Sequence, residues 1–181
     1  AALRHAPADR RGLDGPGLRG ERGPARSGFR TVGAASVKSM TVQEAMTRAR
    51  KAFRIGDYRL AESLLLKAVE QKPRMAVIHN FLGTVYDHLD DHPRAIQSFR
   101  RSIELKKDYV EACNNLGVAL RKAQRHPEAI AAFRQALALA PGRADIHYNL
   151  ANVHKALGQD AQAVESLRRS LEMDPGFVPA Y

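Results

Sequence analysis

The sequence has no tryptophan, a single cysteine and few aromatic residues, which make up 6% of its 181 positions. The lone Cys113 excludes an internal disulfide framework and is typical of a reducing compartment, so we expect a cytoplasmic location. No apolar run approaches the roughly 20 residues of a bilayer-spanning helix, and we expect no membrane span. We find no phosphate-binding glycine loop, nucleophile elbow or paired catalytic carboxylates, so we expect neither an enzyme nor a cofactor.

The positive charge is unevenly distributed along the chain. The formal net charge is +10, and residues 1–40 supply half of this excess, with eight Arg or Lys against three Asp or Glu. The same segment holds seven of the thirteen glycines and shows no sustained helical or strand period. Such a composition does not support a packed core. We therefore predict a disordered, basic, Gly/Arg/Pro-rich arm at 1–40.

The role of this arm stays open between three interpretations. Its excess of Arg over acids partly resembles an organelle transit peptide, although its Gly and Pro content argues against an amphipathic helix. Alternatively, Met40 begins the natural protein and the preceding residues are a translated leader. We do not expect a nucleic-acid partner, but RNA binding by the arm is the third interpretation, and its affinity would fall steeply with salt.

Beyond residue 40 the chain repeats itself every thirty-four residues. NNLGVALRKAQRHPEAIAAF at 114–133 corresponds to NFLGTVYDHLDDHPRAIQSF at 80–99 and to YNLANVHKALGQDAQAVESL at 148–167. Small residues fill the eighth, twentieth and twenty-seventh places of every block, and large apolar residues fill the twenty-fourth and twenty-eighth. The predicted blocks are 42–75, 76–109, 110–143 and 144–177. Residues 178–181 begin a fifth, so we expect the natural protein to be longer.

Each block is predicted to form two helices joined by a turn. Apolar residues recur three or four apart, and this helical period breaks at a turn such as LDDHP and again at the end of the block. Pro93 and Pro127 occupy the start of a second helix, where a missing N–H is tolerated, and Pro141 follows one. A single hairpin cannot bury its apolar face alone, so the four hairpins must stack.

These residues resemble the tetratricopeptide repeat, whose pattern is L-G-x-x-Y in the first helix, A-x-x-x-F in the second and a closing Pro. The second block matches with Leu82, Gly83, Tyr86, Ala95 and Phe99, and the third with Leu116, Gly117, Ala129, Phe133 and Pro141. The repeats are similar to those of bacterial members and of O-linked N-acetylglucosamine transferases. The resemblance implies an all-α, right-handed superhelix of four hairpins, with the first helices lining a concave groove.

The resemblance further implies a scaffold that binds a peptide segment of a partner protein in this groove. The residues at the family's groove-facing places are predicted to make the contacts: Arg50, Arg54, Asn80, Thr84, Asn114, Asn115, Arg121, Lys122, Tyr148, Asn149, Asn152 and Lys155. Asn115 and Asn149 share the sixth place, as in the transferases' asparagine ladder, although Asn is also common there in the repeat. The cations would favour an acidic segment, unless they only solvate a helix face.

The same sequence also allows an alternative function. The alternative is a substrate-recruiting arm of a larger protein glycosyltransferase, methyltransferase or sulfotransferase, with the catalytic domain beyond Tyr181. A chaperone-tail carboxylate clamp is not expected, because Asp145 stands at a clamp place and would repel a carboxylate.

DHLDDH at 87–92 sets His88 and His92 four apart beside aspartates, but it crosses the inter-helix turn. We interpret it as a polar turn and expect no metal site.

Overall fold

A computed structural model describes residues 40–177. The predicted arm, apart from Met40, and the fifth-block residues 178–181 lie outside this range. The described chain forms only helices: α1 (Val42–Arg54), α2 (Tyr58–Gln71), α3 (Ala76–His88), α4 (His92–Leu105), α5 (Val110–Lys122), α6 (His126–Leu139), α7 (Ala144–Ala156) and α8 (Asp160–Met173). The prediction of an all-α solenoid of helical hairpins is therefore confirmed. None of the helices in this part is long and apolar enough to cross a membrane.

The helices pack in chain order. Each odd-numbered helix pairs with the even-numbered helix that follows it, and α2, α4 and α6 each also pack on the next hairpin's first helix. At the backbone level α3 approaches α5, and α5 approaches α7, while the described even-numbered helices make no comparable contact with one another. The odd-numbered helices therefore lie on the inside of the curve and form the wall of a groove.

Short polar side chains fix where two of the second helices begin. Asp57 accepts a hydrogen bond from the Leu60 backbone N–H at 3.0 Å, and Asp91 accepts one from the Arg94 backbone N–H at 3.1 Å. Each bond satisfies a donor that the first turn of a helix leaves unpaired. The backbone and side chain of Arg94 hold the pKa of Asp91 below its ordinary value, so this cap stays charged.

The two helices of a hairpin meet most closely at the eighth and twenty-fourth places. Gly83 lies against the ring of Phe99, and Gly117 lies against the ring of Phe133, whose side chain is fully buried. A Cβ on Gly117 would stand 2.5 Å from Phe133 Cε1, closer than carbon atoms approach. The first and fourth blocks pair an alanine with a leucine at these places instead, so the volume of the pair is conserved while its members change.

The last helix exposes the apolar face that earlier second helices bury. Leu65, at the twenty-fourth place of the first block, is 0% exposed, whereas Leu167 at the same place of the fourth is 40% exposed. Leu171, on the same face of α8, is 55% exposed. Within residues 40–177 no further hairpin covers α8, so these leucines retain contacts on one side only.

The turn inside each hairpin needs a left-handed backbone residue at the fifteenth place. Gly56 and Gly158 adopt φ of +80° and +67° there, and Asp90 and Gln124 adopt +55° and +59°. Glycine takes this conformation without steric cost, whereas a residue with a Cβ is strained by about 1–2 kcal/mol. Gln124 is therefore a strained turn residue in an otherwise regular repeat.

Replacing Gln124 by glycine is expected to stabilise the protein. The relief of strain exceeds the extra entropy that glycine loses on folding, and we expect a gain of about 0.5–1 kcal/mol in the free energy of unfolding. Urea unfolding followed by circular dichroism measures the change. Gly158→Ala is the matched control and should destabilise the protein by a similar amount. A neutral or destabilising effect of Gln124→Gly would contradict the turn geometry.

Candidate functional site

The predicted contact residues all lie on the odd-numbered helices. Arg50, Arg54, Lys122 and Lys155 are exposed. The others are partly buried in the wall of the groove: Asn80, Thr84, Asn114, Asn115, Arg121, Tyr148, Asn149 and Asn152. The structure brings these side chains together across neighbouring hairpins, and it gives them distinct partners.

Asparagines of neighbouring hairpins bind one another in pairs. Asn115 Nδ2 donates to Asn80 Oδ1 at 3.3 Å, and Asn149 Nδ2 donates to Asn114 Oδ1 at 3.1 Å. Each pair joins the fifth place of one block to the sixth place of the next. We expected Asn115 and Asn149 to occupy the same place in successive blocks, but the sequence did not reveal that each is held by the preceding hairpin. The signal that could have revealed it is the spacing, because the two Asn residues of each pair are 35 positions apart.

These bonds fix the orientation of the amides. Because Asn149 uses an Nδ2 hydrogen toward Asn114, its Oδ1 keeps its acceptor capacity, and the Nδ2 group of Asn114 keeps its donors. Thr84 is engaged differently, since its hydroxyl donates to the Asn80 backbone carbonyl at 3.1 Å on its own helix. The asparagine pairs therefore present both donors and acceptors in fixed positions.

One of the predicted cations is already neutralised. Lys122 Nζ lies 2.7 Å from Asp87 Oδ2, an ion pair between α5 and α3. The other oxygen of Asp87 is buried and lies 3.7 Å from His92 Nδ1, too far for a hydrogen bond. Lys122 thus contributes to the contact between hairpins, and its charge is offset before any ligand arrives.

The remaining cations have no carboxylate partner among residues 40–177. Arg50, Arg54 and Lys155 are exposed and form no ion pair there. Arg121 is half-buried, and its Nε is buried without a hydrogen-bond partner in the same range. An ion pair made by a partly buried cation is screened less by water and salt than one made by an exposed cation. Arg121 is consequently the cation best placed to bind an anion.

The first half of the groove contains an aromatic cluster that was not predicted from the sequence, made of Phe53, Tyr58, Phe81 and His88. The Phe53 ring lies edge-on to Phe81 at 5.5 Å, to His88 at 4.8 Å and to Tyr58 at 5.3 Å between centroids. His88 stacks on Tyr58 at 4.9 Å. Such contacts stabilise aromatic pairs beyond their buried area. Phe81 occupies the sixth place that Asn115 and Asn149 hold later, which was the available signal.

Tyr148 and Asn152 line the far end of the groove. Tyr148 stands at the fifth place, where Asn80 and Asn114 stand in the earlier blocks, and its ring lies 5.8 Å from that of Phe177. Asn152 is partly buried one helical turn further along α7. The amide pairing therefore changes to an aromatic contact at the fourth hairpin.

Comparison with known families identifies the repeat. Two family models, each described as tetratricopeptide repeat, match residues 46–110 and 109–175. The chain is a tetratricopeptide-repeat protein. A comparison with curated proteins gave no match.

Solved tetratricopeptide-repeat structures share the fold. The crystal structure of MamA superposes with a TM-score of 0.72 at 22% identity, covering 76% of this chain and 81% of that one. YrrB, titled a TPR protein with an unusual peptide-binding site, gives 0.69 at 22% identity over 77% and 72% of the two chains. MamA from Desulfovibrio magneticus RS-1, from residue 41 onward, gives 0.69 at 19% identity over 74% and 76%. These likenesses concern the fold alone.

Asp145 occupies one of the places at which clamp-type tetratricopeptide repeats hold a chaperone carboxylate. Arg143 binds it through two hydrogen bonds of 2.8 Å and holds its pKa below the ordinary value. Arg143 also lies 3.6 Å from Glu111. The start of α7 therefore carries a charged carboxylate that is already paired.

The lone cysteine is buried, and two histidines of the repeat contact backbone carbonyls. Cys113 is fully buried, and burial raises the pKa of its thiol, so it stays protonated and unreactive. His147 Nε2 lies 3.2 Å from the Pro141 carbonyl, and His79 Nε2 lies 2.8 Å from that of Pro73. In the described range, no three His, Cys, Asp or Glu side chains are grouped to hold a metal ion.

Proposed function

We propose that this protein is an interaction scaffold that binds an extended, acidic peptide segment of a partner protein in the groove of its odd-numbered helices. It acts by binding, without a chemical step of its own. The observation that carries the proposal is the combination of two pre-positioned asparagine pairs with Arg121, whose buried Nε lacks a partner in residues 40–177. The similarly folded YrrB, titled a TPR protein with an unusual peptide-binding site, supports peptide binding by a protein of this fold.

The asparagine pairs suit a peptide backbone. A side-chain amide offers a donor and an acceptor, as a peptide group does, so it binds backbone irrespective of the ligand's sequence. Because Asn114 and Asn149 are already oriented by their mutual bond, little side-chain entropy is lost when a ligand binds. We infer that these pairs supply affinity and that the charged residues supply selectivity.

The free cations favour an acidic partner. Arg121 and Lys155 have no carboxylate in the described chain, and Arg121 is already partly desolvated. A carboxylate bound to a guanidinium makes charge-assisted hydrogen bonds, which are stronger than neutral ones. An acidic segment would therefore gain more from this groove than a neutral or basic one.

Loss of the asparagine pairs is the first test. Peptides selected from a random dodecapeptide display library on the full chain are measured by fluorescence anisotropy against wild type and Asn115→Ala with Asn149→Ala. We expect weaker binding by about 1 kcal/mol for each hydrogen bond lost, which is about fivefold in Kd. The double variant also loses two amide bonds between hairpins, so thermal melts must show that it is folded at the temperature of the binding assay.

A matched control separates the groove from general surface effects. Gln135→Ala removes an exposed amide from α6, on a second helix, and should leave the affinity unchanged. If the library yields no binding peptide, the proposed function is rejected. If the double variant binds as tightly as wild type, the role of the asparagine pairs in binding is rejected. Selected peptides without an excess of Asp and Glu would reject the acidic partner alone.

A further inference from the structure

Side chains across the groove pair along a fixed diagonal. The bonds Asn80–Asn115, Asp87–Lys122 and Asn114–Asn149 each join residues 35 positions apart on successive first helices. The fifth place of one hairpin thus meets the sixth of the next, and the twelfth meets the thirteenth. The chemistry of each junction between hairpins can be determined from these diagonals, and it differs from one junction to the next.

The junction between α1 and α3 is aromatic. Its diagonal contact is Phe53 with His88, at 4.8 Å between ring centroids, and Phe81 and Tyr58 complete the aromatic cluster. Phe53, Tyr58 and Phe81 are only partly buried, and His88 is exposed. Partly exposed ring surface at the wall of a groove gains free energy when an apolar or aromatic side chain covers it.

The junction between α3 and α5 is electrically neutral. Its two diagonals are the asparagine pair Asn80–Asn115 and the ion pair Asp87–Lys122, the latter at 2.7 Å. The cation here is already matched by a carboxylate of the preceding hairpin. This junction therefore has hydrogen-bonding capacity for a peptide backbone but no net charge to select a side chain.

The junction between α5 and α7 is cationic. The diagonal partner of Arg121 is Ala156, which offers no acceptor, and Arg121 Nε is buried without a partner in residues 40–177. Lys155, at the same place of the next block, is exposed without an ion pair in that range. The acidic Asp145 lies ten residues before Lys155 on α7, about 15 Å away at 1.5 Å per residue, and it is held by Arg143.

We propose that the groove selects a peptide in which an aromatic or large apolar side chain and one or more carboxylates are separated by about six residues. The apolar side chain covers the aromatic cluster, and the carboxylates bind Arg121 and Lys155. The α1–α3 and α5–α7 junctions are two repeats apart, which is about 20 Å at about 10 Å per packed helix. An extended chain advances about 3.3 Å per residue, so about six residues span this distance. This inference rests on the proposed function and names the ligand class.

One other occupant of the groove and one other binding position fit the observations less well. The chain's own segment 1–40 carries eight basic against three acidic residues, so its charge opposes Arg121 and Lys155. Alternatively, an acidic segment would bind Arg50 and Arg54 on α1 and make no contact with the junction between α5 and α7. Those two side chains are exposed, and a fully solvated ion pair contributes little. The partly desolvated Arg121 should contribute more, which makes the two cation pairs distinguishable by experiment.

Designed peptide probes test the inference on the full chain. Fluorescein-labelled Gly/Ser peptides carry Phe and, six residues away, two Asp; companion probes replace Phe by Ser, replace Asp by Asn, or halve the separation. We expect the complete probe to bind about tenfold tighter than each companion in fluorescence anisotropy. Arg121→Gln with Lys155→Gln should remove the advantage of Asp over Asn and leave the Asn probe unaffected.

Matched variants test each half of the ligand. Phe81→Asn installs the residue found at the sixth place of the next two blocks, so it should fold, and it should weaken only the probes that contain Phe. Arg50→Gln with Arg54→Gln makes the same charge change as the Arg121 and Lys155 pair, and we expect it to weaken the complete probe much less, because both side chains are exposed. Thermal melts confirm folding of every variant.

The outcomes separate this inference from the proposed function. Equal affinity of the complete probe and its companions, or an equal loss in the Arg50 and Arg54 variant, would overturn the inference while peptides from the display library still bind. If neither the designed probes nor any displayed peptide binds, both the proposed function and the inference fail.

Discussion

Gly117→Ala should destabilise the protein by about 1–3 kcal/mol, although alanine is the better helix former by about 1 kcal/mol. The new Cβ would stand 2.5 Å from the Phe133 ring, which is fully buried and cannot move aside. The steric cost therefore outweighs the gain in helix propensity. The free energy of unfolding from urea titrations, followed at 222 nm by circular dichroism, is the quantity to compare.

A second substitution should reverse the effect. Phe133→Leu alone leaves a cavity and should cost about 1–2 kcal/mol, but in its presence Gly117→Ala should be neutral or stabilising. The first and fourth blocks contain this alanine–leucine pair already, as Ala49 with Leu65 and Ala151 with Leu167. Additive costs in the double variant would show that the two side chains do not oppose each other in the folded protein.

The second large effect is a contrast between two leucines at the same place of the repeat. Leu65→Ala should cost about 2–5 kcal/mol, because Leu65 is 0% exposed and its removal leaves a cavity between hairpins. Leu167→Ala should cost only about 1 kcal/mol, because Leu167 is 40% exposed on α8. Both variants are measured in the same urea titration.

This pair of variants tests stacking with the chemistry of the substitution held constant. In a solenoid each hairpin is stabilised by its neighbours, so a buried position between two hairpins contributes more than the same position at an end. Similar losses for Leu65→Ala and Leu167→Ala would contradict the packing order described above. A larger loss at Leu167 would mean that the face of α8 is covered in solution.

The sequence was sufficient for the architecture because the repeat is local. The helical period, the prolines beside the turns and the Gly–Phe places lie within one block, and each predicts a contact inside one hairpin. The stacking of hairpins follows from the apolar face that one hairpin cannot bury. The eight helices of the described chain confirm this part of the prediction.

The sequence was less informative about the groove, where contacts cross from one hairpin to the next. Which place meets which depends on how far each hairpin rotates relative to the last, and no local pattern fixes this angle. The ion pair of Lys122 with Asp87 was missed for this reason, and so was the aromatic cluster around Phe53. The predicted roles of the groove residues in binding stay predictions.

Site-specific photocrosslinking tests the central claim most directly. A benzophenone amino acid is placed at Val118, in the groove wall on α5, or at Ala131, exposed on α6 of the same hairpin, and peptides from the display library are irradiated with each variant. Crosslinks to Val118 with none to Ala131 are the predicted result. Crosslinks to Ala131 and not to Val118 would place the ligand on the second helices and contradict a binding groove formed by the first.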